Sequence, residues 1–405
     1  MHGTVTFVST IVVVIGCSSH HATDPDAIAS DSASDSGHSD GVSGANYTKL
    51  KNDAPMPADF RPFRADSIWN RKLPDTPQRV DAANTARVQA LAAISTTTFY
   101  TEGDNGVGGY GGYPVYLATA TDPAVTVDCA VASQAYGCSA DTTSGTIAEI
   151  PGTFHIPANA RPGCIDQSQC GDMNLSVIQP DGSYLDIYGC NPTRDWADGD
   201  VIGGAICSNH VSGVAISHVV TGYGYNGGSV DGGDAFISLM GNYNEVVPVG
   251  AVMQHALEVR LPCSNGEIVF PGHSLYTCDG GIPSGSLIHL NLSHAEIDNL
   301  IAQHTYTSYM RPFLYAFHDY GAYFLDGGGS PGDGFYIQPR IESASPWLRN
   351  GGTNPWIPWF QAQNAKLGMT SGGVPAWYFD VDFYRPIAQH LEVLSSCYAE
   401  GTCTQ

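Results

Sequence analysis

Two histidines, His255 and His273, stand eighteen residues apart, the first ahead of Cys263 and the second between Cys263 and Cys278. An imidazole ligates a metal or moves a proton near neutral pH. A strand carrying His255, a disulfide-held turn and a returning segment carrying His273 would bring both rings to one end of a sheet. Asp172 and Asn174 are two apart, so on a strand they face the same side. Asp326 follows an apolar run and precedes three glycines, a place where a polar group is presented at a sheet edge. Three chemistries fit this set. A glycoside hydrolase needs two carboxylates flanking the scissile bond, with Asp172, Asp186, Asp195, Glu245 and Asp326 as candidates. A polysaccharide lyase needs a base, His255 or a tyrosine, and a group such as Asn174 or Arg260 that neutralises a uronate. A metal hydrolase would use His255, His273 and Asp172 as ligands of a divalent ion. No organic cofactor is expected. A His-Glu-x-x-His motif does not occur, so the common zinc-protease class lacks support. The competing structural reading makes both histidines hydrogen-bonded members of the core.

The elements that must position these residues read as strands. Residues 112–120, 175–178, 184–188, 256–261 and 322–325 alternate or cluster apolar residues as strands do. Pro180-Asp181-Gly182 is a turn signal that makes 175–188 a hairpin. Asp81–Ile94 is predicted helical. A second helix starts at Ser293, where Glu296 completes a capping box, and a third covers 312–320 with Gly321 as its stop. The expected fold is β-rich α+β: a β-sandwich or barrel-like core carrying a helical hairpin and disulfide-stapled loops. Aromatic residues in glycine- and proline-rich loops could form a sugar-stacking surface: Tyr110, Tyr113, Tyr223, Tyr225, and Trp347 with Trp356 and Trp359. Core packing is the alternative for the tryptophans.

Charge narrows the partners. With 39 Asp and Glu against 16 Lys and Arg, the net charge is −23. That excludes nucleic acid and broad adsorption to anionic membranes. It favours a neutral or cationic ligand, while leaving room for a local basic pocket. The chain carries eleven cysteines. Ten fall into neighbouring pairs that predict disulfides Cys129–Cys138, Cys164–Cys170, Cys190–Cys207, Cys263–Cys278 and Cys397–Cys403. The Cys-x-x-Cys knuckles of a zinc-thiolate site are absent.

The eleventh is Cys17, at the end of the apolar run Thr10-Ile-Val-Val-Val-Ile15-Gly16. The run is too short to span a bilayer. It resembles a bacterial lipoprotein signal, which implies cleavage after residue 16, lipidation of Cys17 and attachment to the cell envelope, with Ser18 compatible with the outer membrane. Residues 18–46 hold neither Lys, Arg nor an aromatic residue and are rich in Ser, Ala, Gly and Asp, the composition of a flexible tether. The expected organisation is a signal at 1–16, a tether at 17–56 and one β-rich domain at 57–405.

Five phrases in order resemble a largely uncharacterised family of secreted bacterial proteins. They are Asp66-Ser67-Ile68-Trp69-Asn70, Asp172-Met173-Asn174, His255-Ala256-Leu257-Glu258-Val259-Arg260, Pro271-Gly272-His273, and Tyr320-Gly321 leading to Asp326-Gly327. Asn174 stands where that family commonly shows His, and Arg260 lies two positions beyond where its Arg is usual. The family accompanies carbohydrate-related modules, which implies a polysaccharide or cell-surface glycan as partner. The function expected is cleavage of an extracellular polysaccharide by hydrolysis or elimination. The alternative is a glycan-binding module or a structural envelope lipoprotein.

Overall fold

The computed structural model describes residues 50–63, 65–95, 99–100, 114–129, 148–160, 175–182, 184–190, 207–210, 241–272, 277–304, 306, 309–327, 336–338, 342, 346–347, 350–369 and 375–403. All described residues belong to one compact unit, 42–405.

That unit is mixed α+β. Its largest sheet has five strands in the order β13 (Tyr336–Gln338), β8 (Leu257–Leu261), β12 (Ala322–Gly327), β11 (Leu287–Leu290) and β16 (Leu391–Val393). β8 and β12 are parallel; the other pairs are antiparallel. A second sheet joins β2 (Val115–Leu117), β5 (Leu175–Ile178), β6 (Tyr184–Cys190) and β7 (Cys207–His210). A third joins β1 (Phe99–Tyr100), β15 (Pro375–Phe379) and β14 (Lys366–Met369). The pairs β3 (Ala124–Cys129) with β4 (Ala148–His155) and β9 (Ser264–Ile268) with β10 (Ile282–Ser284) complete the strands. The sheets are open at both edges, so the barrel-like expectation is not met among the described residues.

The reason lies in what covers the main sheet. Every residue of β12 is buried, as befits a strand covered on both faces. Successive residues point to opposite sides. Ala322 and Phe324 join Val259, Leu261, Ile288 and Leu290 under the helices α1 (Ala82–Ile94), α3 (His294–Gln303) and α4 (Met310–Asp319). Tyr323 and Leu325 face the other way, against Phe63, Ile68 and Trp69. Trp69 meets the Tyr323 ring edge-on, with centroids 5.2 Å apart. The Asp-Ser-Ile-Trp-Asn phrase therefore closes the back of the sheet. One face is layered by helices and the other by an irregular N-terminal segment, which is an α+β layering.

Local signals act as expected. Asp81 caps α1, its side chain accepting from the Asn84 amide. Ser293 and Glu296 form the capping box of α3. Gly182 adopts positive φ in the turn between antiparallel β5 and β6. Gly321 ends α4 at φ 78°, and a Cβ there would lie 2.9 Å from the Ile288 carbonyl oxygen. α3 and α4 form the helical hairpin. Disulfides link Cys263 to Cys278 and Cys397 to Cys403. Cys190 and Cys207 are opposite residues in the β6–β7 register. Cys138, Cys164 and Cys170 lie outside the described residues, as does the Cys129 side chain. No helix among the described residues is long and apolar enough to cross a membrane.

Candidate functional site

His255 precedes β8 and is only 3% exposed. Its Nδ1 donates to the Ala256 carbonyl at 2.7 Å, because a carbonyl can only accept. Nε2 then faces Glu245 Oε2 at 3.6 Å. Glu245 belongs to the short helix α2 (Tyr243–Val246) and is itself buried. Arg61 pairs with it at 2.7 Å, and the Asn242 side-chain amide donates to it at 2.7 Å. Glu342, fully buried beside this group, accepts from the Met56 and Tyr243 amides. Burial, reinforced by the charge of Glu245, pushes its carboxyl up to about 8 even though the two amide bonds oppose the shift. This cluster ties the N-terminal segment to α2 and to the start of β8.

Arg260 and Asp326 are adjacent in the parallel β8–β12 register and form an ion pair at 3.3 Å. They lie toward the carboxyl ends of those strands. Five residues of extended chain separate Arg260 from His255, roughly 16 Å at 3.3 Å per residue. The structure thus brings Arg260 and Asp326 together and sets His255 at the other end of the strand. Asp172, Asn174, His273, Tyr110, Tyr113, Tyr223, Tyr225 and Cys17 lie outside the described residues. Trp356 is fully buried, its ring stacked on Phe360 and met edge-on by Tyr243. Trp347 is equally enclosed. These two rings belong to the core, which corrects the expected stacking platform: neither face can meet a sugar. Trp359 is partly buried and packs against Tyr309 and Phe360.

An open cavity of about 400 Å³ lies elsewhere, between residues 71–79 and the C-terminal turn. Arg71, Lys72, Arg79, Gln78 and Tyr398 line it, and the Cys397–Cys403 disulfide forms part of the wall. None of its lining residues is acidic. The Tyr398 hydroxyl accepts from the Gln78 amide at 2.9 Å, which leaves its own proton for a ligand. Sequence reasoning missed this place because Arg71, Lys72 and Arg79 are far in sequence from Tyr398 and the Cys397–Cys403 turn that complete the cavity.

Lys72 also reaches Asp319 at the end of α4, 3.3 Å from Oδ1. Beside Asp319 lie His294, the first residue of α3, and His318. His294 Nε2 is 3.2 Å and His318 Nε2 4.0 Å from the same Oδ1. His294 stacks flat on Tyr315 at 3.9 Å. His289 of β11 is wholly buried next to His318, ring centroids 5.4 Å apart, and neither of its ring nitrogens has a hydrogen-bond partner. Burial, then the neighbouring His318, holds its imidazole down at about 4. The sequence signal for this group was the His318-Asp319 pair at a helix end, and it needed the packing of α3 on α4 to become a cluster. Tyr320 senses both regions: burial raises its hydroxyl, as do Asp319 and Glu245, while Arg61 lowers it.

No protein-family model, no curated protein and no solved structure matches this chain.

Proposed function

We propose that the chain is an exported, lipid-anchored envelope protein that takes an acidic glycan, a uronate- or sulfate-bearing polysaccharide, into the Arg71–Lys72–Arg79–Tyr398 cavity. One observation carries the reading. In a chain of net charge −23, a cavity lined by three cations and no acid is a local reversal of the field. Such a reversal favours anionic groups at short range, within the Debye length of about 8 Å at physiological salt. Arginine suits carboxylate and sulfate because its planar fork donates two parallel hydrogen bonds. The earlier preference for a neutral ligand, drawn from total charge, gives way to this local arrangement. The Cys17 anchor, export and the glycan as partner rest on the sequence resemblance.

Cleavage is the second reading. Lys72 joins the cavity to His294, His318 and Asp319, groups able to move protons. Hydrolysis or elimination at this wall would make the protein a carbohydrate-active enzyme rather than a binding module.

The test titrates the full mature chain with oligogalacturonate, a sulfated oligosaccharide and a neutral oligosaccharide of equal length. The acidic ligands should bind at least ten times more tightly, and Arg71→Ala with Arg79→Ala should remove that preference. Equal binding of the neutral glycan overturns the reading. New reducing or unsaturated ends would establish cleavage. Mass spectrometry of the mature N-terminus checks the lipid on Cys17.

A further inference from the structure

We propose that His294, His318 and Asp319 hold a divalent transition-metal ion, with two imidazole nitrogens and one carboxylate oxygen as ligands. Their ligand atoms all lie within 4.8 Å of one another. A zinc ion with ligands at 2.0–2.2 Å sets tetrahedral ligand atoms about 3.4 Å apart. The pairs to Asp319, at 3.2 and 4.0 Å, are close to that spacing. The His294 side chain is 42% exposed, and a small rotation of its ring against Tyr315 would supply the remaining movement.

The protonation pattern fits as well. His318 Nδ1 approaches the Leu290 carbonyl at 3.2 Å and must donate to it. That contact fixes the tautomer and leaves a lone pair on Nε2, the atom nearest Asp319. A metal-bound histidine characteristically gives its other ring N–H to such an acceptor. His294 Nε2 and Asp319 Oδ1 are buried atoms that make no hydrogen bond, although they are neighbours. Two polar atoms shielded from water and unsatisfied by each other are what a shared third partner would relieve. The carboxyl end of α4 adds partial negative charge at the same point.

Lys72 is the competitor. Its ammonium sits 3.3 Å from Asp319 Oδ1, so a metal must displace it. The side chain is half-exposed and can swing into the adjoining cavity. Two histidines and one carboxylate suit zinc and its neighbours rather than magnesium or calcium, and they leave a coordination position for water or substrate. This assignment rests on the geometry of the three ligands and is independent of the glycan reading.

The experiment strips the full mature chain with a chelator. It then titrates Zn²⁺ by calorimetry and Co²⁺ by visible absorption. One saturable ion per chain is expected. His294→Ala and Asp319→Asn should each weaken binding at least tenfold. Lys72→Met should tighten it three- to tenfold, a gain that a merely structural salt bridge would not produce. His318→Ala should also lose binding, with circular dichroism to confirm that it folds. Replacing His20, His21 and His38 of the tether should leave the affinity unchanged. Absence of saturable binding, or equal binding by the His294 and Asp319 variants, overturns the proposal. So does loss of binding in the tether variant.

Discussion

Two polar clusters lie on either side of Tyr320, and they are built on opposite terms. Around Glu245, an arginine, an amide and a histidine converge on one carboxylate, and every group lies in the interior or close to it. Around Asp319, one histidine is buried, another reaches the surface, and the ammonium beside them comes from a half-exposed chain. The first cluster meets its charge from within the fold. Both hold imidazole and carboxylate atoms without hydrogen bonds, Nε2 of His255 and Oε1 of Glu245 in the first, Nε2 of His294 and Oδ1 of Asp319 in the second, but only the second lies at an accessible edge. Histidine alone therefore does not mark a site. What separates the two is whether the imidazole and carboxylate can be reached from outside the fold.

The largest test of that contrast is Arg61→Ala. Removing one partner of a buried pair strands the other charge, at a cost of about 3–5 kcal/mol. Denaturant unfolding should show this loss, whereas His294→Ala at the open cluster should stay within about 1 kcal/mol of the wild type. His255→Ala comes next. Emptying a buried, hydrogen-bonded position should cost about 1–3 kcal/mol and leave acidic-glycan affinity within twofold. A large loss of binding without loss of stability would return His255 to the functional site.

The third test is pH. The folded Glu342 carboxyl titrates at about 8, above its ordinary 4.5. Between those values the folded state holds a proton that the unfolded chain releases, so stability falls as pH rises through this window. The slope from one such group is at most about 1.4 kcal/mol per pH unit. Glu342→Gln should flatten the decline between pH 5 and 8, as read from melting temperatures across that range. An unchanged slope would assign the decline to other groups.

What could be read in advance was local. The Ser293–Glu296 box, the Gly182 turn and the Gly321 stop each depend on residues within one turn of chain, and each appears where expected. The two described disulfides close short sequential loops and were legible for the same reason. The order of the main sheet was not, because β12 pairs in parallel with β8, a strand separated from it in sequence by β9, β10, β11 and two helices. Neighbourhoods between elements were hidden at the same step. His255 and Arg260 lie in one phrase, yet an extended strand carries them to opposite ends. His294 and Asp319 are distant in sequence, yet the hairpin of α3 and α4 makes them neighbours. Trp356 stood among prolines and glycines and read as a loop residue; it instead begins a short helix packed against Phe360 and Tyr243.

The Cys397–Cys403 bridge has a consequence for timing. It closes a seven-residue loop that forms one wall of the basic cavity. A newly made chain in a reducing compartment would carry two thiols there, and the wall would be free to open. The cavity in its described shape therefore belongs to the oxidised chain, so a ligand that depends on that wall is captured after oxidation and not during synthesis.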